Sequence, residues 1–284
     1  MELIAAVPTP FTASGELDLH GARQVFGFAA SAGASLLVAG TTGEFPSLDD
    51  DERLALFETA LDVAGPERTI AHVGAADTRH ATRLAAAARA AGASRLAVIT
   101  PYYLRARRDE VIAHFIAVRQ AAGDAPVYAY LFPERTGVAL PPADLSHVAA
   151  RTGLAGIKLS GSSAAQLKEY VVAAPSGFAV YTGDDSQVLE AGRVAAAGVV
   201  SGVSSAFPAE FADLVAGVST AGDRLVPPDF ESPLTGTAVR LLGPSIGRLK
   251  YALSLRGLAG PYARMTVDPP GAAVRPAIGR LVSP

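Results

Sequence analysis

Short apolar runs alternate along the chain with longer amphipathic stretches rich in Ala, Leu and Arg. The short runs are typical of strands buried on both faces, and the longer stretches are typical of helices that bury one side. Eight strands are predicted, at residues 3–9, 35–41, 69–75, 95–101, 127–132, 154–160, 178–183 and 199–205. The first three intervening helices are predicted at 18–33, 48–65 and 78–92, and we expect Thr78 to cap the third.

This alternation predicts an α/β fold, a (β/α)₈ TIM barrel with a C-terminal helical extension. Eight strands that are each followed by a helix form the pattern of such a barrel. An open doubly wound sheet also alternates, but no GxGxxG follows the first strand. The alternation stops near residue 225, where Pro-rich loops join further helices. We therefore predict a barrel over residues 1–224 and an extension over residues 225–284.

The composition narrows the possible functions. A formal charge of −3, with no basic run longer than RARR at 105–108, gives no indication of a nucleic-acid partner. The chain has no cysteine, and its five histidines, of which His114 is expected on a helix surface, are scattered, so we expect no metal. The N-terminus lacks the basic region of a signal peptide, and no apolar run reaches the ~18 residues of a membrane helix. We expect a soluble, cytoplasmic protein.

One charged residue interrupts a predicted buried strand. The chain has three lysines and 21 arginines, and Lys168 and Lys250 fall in helical stretches where we expect solvated amines. Lys158 instead lies in the sixth strand, LAGIKLS. Burial favours the neutral form of an amine, which can attack a ketone to form a Schiff base. The alternative is a structural lysine paired with an acid such as Asp184 or Glu44.

Polar residues gather at the ends of the other predicted strands, where barrel enzymes carry their active sites. Schiff-base chemistry needs proton transfer, for which Tyr130 is the candidate, with Thr41 and Tyr103 as relay partners. The GTTG turn at 40–43 offers backbone N–H groups and two hydroxyls to a carboxylate. The TGDD stretch at 182–185 fits either a helix cap or a Mg²⁺ site.

The motifs together resemble the dihydrodipicolinate synthase/N-acetylneuraminate lyase family in their order and spacing. They are GTTGEFPSL (40–48), TPYY (100–103), Y-x-x-P-x-R-T-G (130–137), GIK (156–158) and GDD (183–185). The similarity runs from VPTPF (7–11) to GRLKYALSLRGL (247–258). It implies a (β/α)₈ barrel with a C-terminal helical extension, usually a homotetramer built as a dimer of dimers. It also implies metal-independent, cofactor-free lyases and synthases that act on pyruvate through a Schiff base.

The resemblance implies roles for four residues in the chemistry. Lys158 resembles the Schiff-base lysine, and Tyr130 resembles the acid/base tyrosine above the imine. Thr41 resembles the threonine that relays protons between Tyr130 and Tyr103. In relatives, the tyrosine that matches Tyr103 reaches in from a neighbouring subunit.

Five further residues match substrate-binding positions of the family. Thr42 and Gly43 match the site of the pyruvate carboxylate. Val200 matches a residue whose carbonyl faces the substrate. Gly183 belongs to the GDD motif. Arg135 resembles the arginine that recruits the carboxylate of aspartate semialdehyde in the synthases.

The implied function is the condensation of pyruvate with an aldehyde through an enamine on Lys158. Three departures concern the second substrate: Leu131 replaces the usual Asn, and Leu159 and Ser160 replace an acidic or small pair. They leave open an aldolase that acts on a 2-keto-3-deoxy sugar acid, or an N-acetylneuraminate lyase-like enzyme. A protein of another class, a catalytically silent homologue that binds a keto acid or a protein partner, is the remaining alternative.

Overall fold

The eight predicted strands are all present in the computed structural model, which describes residues 1–221 and 233–283. They are β1 Glu2–Ala6, β2 Ser35–Val38, β3 Thr69–His72, β4 Arg95–Ile99, β5 Val127–Leu131, β6 Gly156–Leu159, β7 Ala179–Thr182 and β8 Gly198–Ser201. The strands follow one another in chain order around a closed barrel, and the pairs β1–β2 and β3 through β8 are parallel. The predicted fold class is therefore confirmed. Each strand ends before its predicted end, since the last predicted residues lie in loops.

Helices follow the strands along the chain. They are α1 Leu19–Ala30, α2 Asp50–Ala64, α3 Thr78–Ala90, α4 Arg108–Ala121, α5 Pro133–Thr136, α6 Leu145–Thr152, α7 Leu167–Ala173, α8 Val188–Arg193, α9 Pro208–Ala221, α10 Pro233–Leu242, α11 Ile246–Leu255 and α12 Arg275–Val282. Among the residues described, no helix is long and apolar enough to cross a membrane.

The cap of the third helix lies one residue before the predicted cap. The side chain of Asp77 accepts a hydrogen bond from the backbone N–H of His80 at 2.9 Å, so Asp77 is the N-cap and Thr78 is the first helical residue. A carboxylate at this position also suits the positive end of the helix dipole. The prediction that Thr78 caps the helix is wrong, because the stronger acceptor directly precedes it.

Backbone contacts divide the chain into two compact units. One comprises residues 70–200, and the other comprises residues 2–69 with the described part of 201–284. The predicted boundary between residues 224 and 225 lies outside the described residues, so the division into barrel and extension stays a prediction. Three helices, α10 to α12, follow that boundary.

Helices α3 and α4 of the first unit are joined by a hydrogen bond to a buried histidine. Thr78 Oγ1 lies 3.0 Å from Nδ1 of His114, whose side chain is fully enclosed. The expectation that His114 lies on a helix surface is therefore wrong. Burial lowers the pKa of His114 to about 4, because the charged imidazolium cannot be hydrated there.

This histidine makes the stability of the fold sensitive to acid. Below its ordinary pKa near 6.5, the unfolded chain binds a proton that the folded chain still excludes. Between pH 7 and pH 4.5, we expect His114 to lower the free energy of unfolding by about 2 kcal/mol. The H114N variant, compared by urea titration at both pH values, should lose this share of the pH dependence. The exposed His147 provides the control, as H147N; an unchanged slope in H114N would contradict the assignment.

Candidate active site

The parallel pairing of β5 with β6 sets Tyr130 and Lys158 side by side. Their Cα atoms are register partners, as are those of Leu131 and Leu159. Because neighbouring residues of a strand point to opposite faces, Tyr130 and Lys158 share one face and the two leucines share the other. The amine of Lys158 lies 3.7 Å from the centroid of the Tyr130 ring.

The amine of Lys158 has a hydroxyl as its hydrogen-bond partner and no carboxylate. Nζ donates to Ser160 Oγ at 3.0 Å, and no acid in the described part of the chain forms a salt bridge with it. Of the two acids considered as partners, Glu44 pairs with Lys250. Asp184 accepts hydrogen bonds from the backbone and hydroxyl of Ser186. The structure thus gives no support to a structural ion pair at Lys158, which is half-buried rather than enclosed.

Asp184 supports one of the two interpretations of TGDD. It caps the short helical turn Asp185–Gln187, so the interpretation as a helix cap is confirmed. No cluster of three or more potential metal ligands occurs among the described side chains.

Gly183 leaves the space in which the amine and hydroxyl meet. A Cβ on this residue would lie 3.0 Å from Cε of Lys158 and 2.4 Å from Oγ of Ser160. The carbonyl oxygen of Leu159 would be only 2.9 Å away as well, so movement of Ser160 alone would not make room for a side chain, and glycine is the residue that fits. The residue predicted for substrate binding therefore borders the predicted catalytic lysine.

Aromatic rings hold the side chain of Tyr130 in place. His72 meets it edge-on with ring centroids 6.1 Å apart, and Phe132 lies against it at 6.2 Å. Tyr130 and His72 are both buried. Rings arranged in this way restrict the rotation of the tyrosine, so its position relative to Lys158 is well defined.

Three other predicted residues of the first unit are placed differently. Tyr103 is 92% exposed and adopts a left-handed conformation with a φ of 77°. Arg135 is also exposed, with its guanidinium 5.7 Å from the Phe132 ring. Val200 is buried within β8. Within one chain, Tyr103 is therefore not part of the cluster around Lys158.

The GTTG motif lies in the second unit and forms the turn that follows β2. Thr41 and Thr42 are half-buried, and the carbonyl of Gly43 accepts a hydrogen bond from Thr9 Oγ1 at 2.7 Å. A Cβ on Gly43 would lie 3.1 Å from Cα of Ala39, which is tight for a side chain. A Cβ at this position would require the neighbouring backbone to shift by a few tenths of an ångström, so glycine is favoured there. The turn leaves Thr41 and Thr42 partly accessible.

A buried ion pair fixes the end of this turn. Glu44 has a φ of 55° and is fully enclosed, and its carboxylate pairs with Lys250, which is 3% exposed. The carboxylate also accepts hydrogen bonds from the backbone N–H groups of Arg264 and Met265, at 2.9 and 2.8 Å. The expectation that Lys250 is a solvated helix lysine is wrong. Burial lowers the pKa of Lys250, and the charge of Glu44 opposes this effect.

The side chain of Arg264 extends the same network to the surface. Its guanidinium binds both carboxylate oxygens of Glu52 and donates to the carbonyls of Gly15 and Ser47. Two hydrogen bonds to one carboxylate give a fixed geometry, and they lower the pKa of Glu52. The ring of Phe11 lies 4.5 Å from both the Lys250 amine and the Arg264 guanidinium.

Two structural features of this region were not predicted from the sequence. Ser160 was considered only as a departure from the family pattern, although a hydroxyl two residues after a strand lysine lies on the same face. The Glu44–Lys250 pair joins residues 206 positions apart, which no local pattern indicates. The rarity of lysine could have indicated a special role for Lys250, since the chain uses arginine at most other basic positions.

Comparison with known proteins gives consistent matches along the chain. Residues 1–278 match the dihydrodipicolinate synthetase family. The 4-hydroxy-tetrahydrodipicolinate synthase 1 of Streptomyces coelicolor is 39% identical over 210 residues, 73% of this chain and 68% of that protein. The structure of dihydrodipicolinate synthase from Aquifex aeolicus has a TM-score of 0.89 at 26% identity, covering 99% of this chain and 96% of its own.

A second structural relative was solved with a ligand. It is YagE, a prophage protein of the dihydrodipicolinic acid synthase family from E. coli K12, in complex with pyruvate. Its TM-score is 0.87 at 25% identity, covering 99% of this chain and 97% of its own.

The buried ion pair yields a prediction about stability. Lys250→Met would leave the Glu44 carboxylate buried without its cation, at a cost of about 3–5 kcal/mol in the free energy of unfolding. The double variant E44Q/K250M buries no charge and should lose less. Urea unfolding measures both, with K168M at an exposed lysine as the control. Equal losses in the single and double variants would show that the pair itself is not the cause.

Proposed function

This chain belongs to the dihydrodipicolinate synthetase family of lyases, and we propose that it condenses pyruvate with an aldehyde through an enamine on Lys158. The main support for this proposal is the position of the Lys158 amine. It lies over the Tyr130 ring and beside a hydroxyl, and no carboxylate among the described residues pairs with it. No ion pair must therefore be broken before the amine attacks a ketone. A lysine held in this way suits a Schiff-base nucleophile.

The proposed reaction begins with attack of the amine on the ketone carbon of pyruvate and loss of water. The protonated imine withdraws electrons, so the adjacent methyl group loses a proton and an enamine forms. The enamine carbon then attacks the aldehyde, and hydrolysis of the imine frees the lysine. Tyr130 is proposed to give and take the protons, with Thr41 and the Tyr103 of a neighbouring copy as its relay.

The same proposal assigns the binding of substrate. Thr42 and Gly43 are proposed to hold the pyruvate carboxylate, since their turn offers backbone N–H groups and an accessible hydroxyl. Gly183 and Val200 are proposed to border the bound keto acid. Arg135 has an exposed guanidinium without a carboxylate partner among the described residues, which suits the capture of a carboxylate on the aldehyde.

Assembly and location complete the proposal. A homotetramer, built as a dimer of dimers, would allow one copy to supply Tyr103 to the next, and the exposure of this side chain in the single chain supports that role. The chemistry needs neither a metal nor a cofactor, because the lysine itself supplies the electron sink. We place the protein in the cytoplasm.

Two of the three departures do not bear on the second substrate. Leu131 and Leu159 are buried on the face of the sheet opposite to Tyr130 and Lys158. Only Ser160 is beside the amine. This favours a synthase-like site, with cleavage or synthesis of a 2-keto-3-deoxy sugar acid as the second candidate function. An N-acetylneuraminate lyase-like activity is the third.

Covalent trapping tests the reaction class. Incubation with pyruvate followed by borohydride should convert the imine into a stable secondary amine, found by mass spectrometry of the peptide that contains Lys158. The K158A variant should give no adduct. The K168R variant, at the exposed lysine ten positions later, should label like the unaltered chain. An unlabelled Lys158 in the folded protein would overturn the enzymatic proposal and favour a silent binding protein.

Replacement of Arg135 tests the second substrate. If the aldehyde carries a carboxylate, Arg135→Ala should raise the KM for aspartate semialdehyde by about tenfold to a hundredfold, since a charge-assisted pair is lost. Pyruvate trapping at Lys158 should be unchanged. The exposed Arg151 supplies the matched control, as R151A. Turnover of 2-keto-3-deoxy sugar acids, with no response to aspartate semialdehyde, would instead identify the sugar acid aldolase.

A further inference from the structure

Ser160 shares the face of the site with Lys158 and contacts the reacting atom. Its Oγ accepts a hydrogen bond from Nζ at 3.0 Å, although only 5% of the serine is exposed. The position is two residues after the lysine, so its side chain points to the same side of the backbone. The missing Cβ of Gly183 gives both groups the space to meet.

The hydroxyl of Tyr130 is not equally placed to serve the nitrogen. The amine lies over the face of the tyrosine ring, 3.7 Å from its centroid. No hydrogen bond joins Nζ to the phenol oxygen among the described residues, whereas the bond to Ser160 is present. The serine thus contacts the nitrogen through its hydroxyl, whereas the tyrosine contacts it through the face of its ring.

We propose that Ser160 is a further catalytic residue, which moves a proton from the Lys158 nitrogen to the substrate oxygen during imine formation. The proposal rests on the Schiff-base function above. When the nitrogen lone pair forms the N–C bond, the π electrons of the carbonyl move to its oxygen. The nitrogen then carries one proton too many, and the oxygen lacks one.

A hydroxyl beside the nitrogen corrects both charges in one step. Ser160 accepts a proton from the nitrogen as it donates its own to the oxygen, through a six-membered ring of two hydrogens, Oγ, N, C and O. The serine ends as it began. A second proton, from Tyr130, then lets the oxygen leave as water and yields the protonated imine. The serine therefore acts at the nitrogen and the tyrosine acts at the leaving oxygen.

The rate of imine formation tests this role. The unaltered chain, S160A and S160T are mixed with pyruvate, quenched with borohydride at timed intervals and analysed for the Lys158 adduct. Loss of the hydroxyl should lower the maximal trapping rate by about tenfold or more. The pyruvate concentration at half-maximal rate should stay the same, because Ser160 is not part of the proposed carboxylate site. S160T retains a hydroxyl and should recover most of the rate.

The controls separate this inference from its premise. Ser162 is exposed on the same loop, and S162A should trap pyruvate like the unaltered chain. Normal trapping in S160A, or equal slowing in S160T and S160A, would overturn the role of Ser160 and leave the Schiff-base function standing. Absence of any adduct in the unaltered chain would overturn both. If S160A does not fold, S160G removes the same hydroxyl without adding bulk, and its trapping rate should be lowered as well.

Discussion

The register between β5 and β6 is the constraint on which the proposed chemistry depends. It pairs Tyr130 with Lys158, while Leu131 and Leu159 are buried on the opposite face. A shift of one residue would send the lysine outward and bring a leucine in, so burial of the leucines fixes the position of the amine. The same strand register therefore determines which leucines are buried on one face and which side chains meet on the other.

The barrel was predictable because its signal is local. Alternation of apolar runs with amphipathic stretches depends only on residues near in sequence, and all eight strands were found. The strand ends were overestimated because buried apolar residues such as Val7, Ala39 and Val73 directly follow the strands and extend the apolar run. The lysine that we propose as reactive was also accessible from the sequence, since a charge inside an apolar strand needs an explanation.

What could not be predicted was determined by distant partners. No residue near Lys250 in the sequence indicates that its amine is enclosed with Glu44. The residues around Glu44 likewise indicate only the end of a turn. The same limit applies to Ser160, whose proposed role depends on the space beside Gly183, the residue that directly follows β7. Alternation along a strand could have separated Leu131 and Leu159 from the site, because their side chains point away from Tyr130 and Lys158.

The outward-facing Tyr103 has a consequence for the behaviour of the protein in solution. Its side chain is exposed to solvent in the single chain, and its proposed role is in the active site of another copy. Only associated copies would then have a complete site. Dilution would therefore lower the activity per molecule as well as the total activity. The activity per molecule would therefore increase with the protein concentration, and it would reach its maximum only where association is complete.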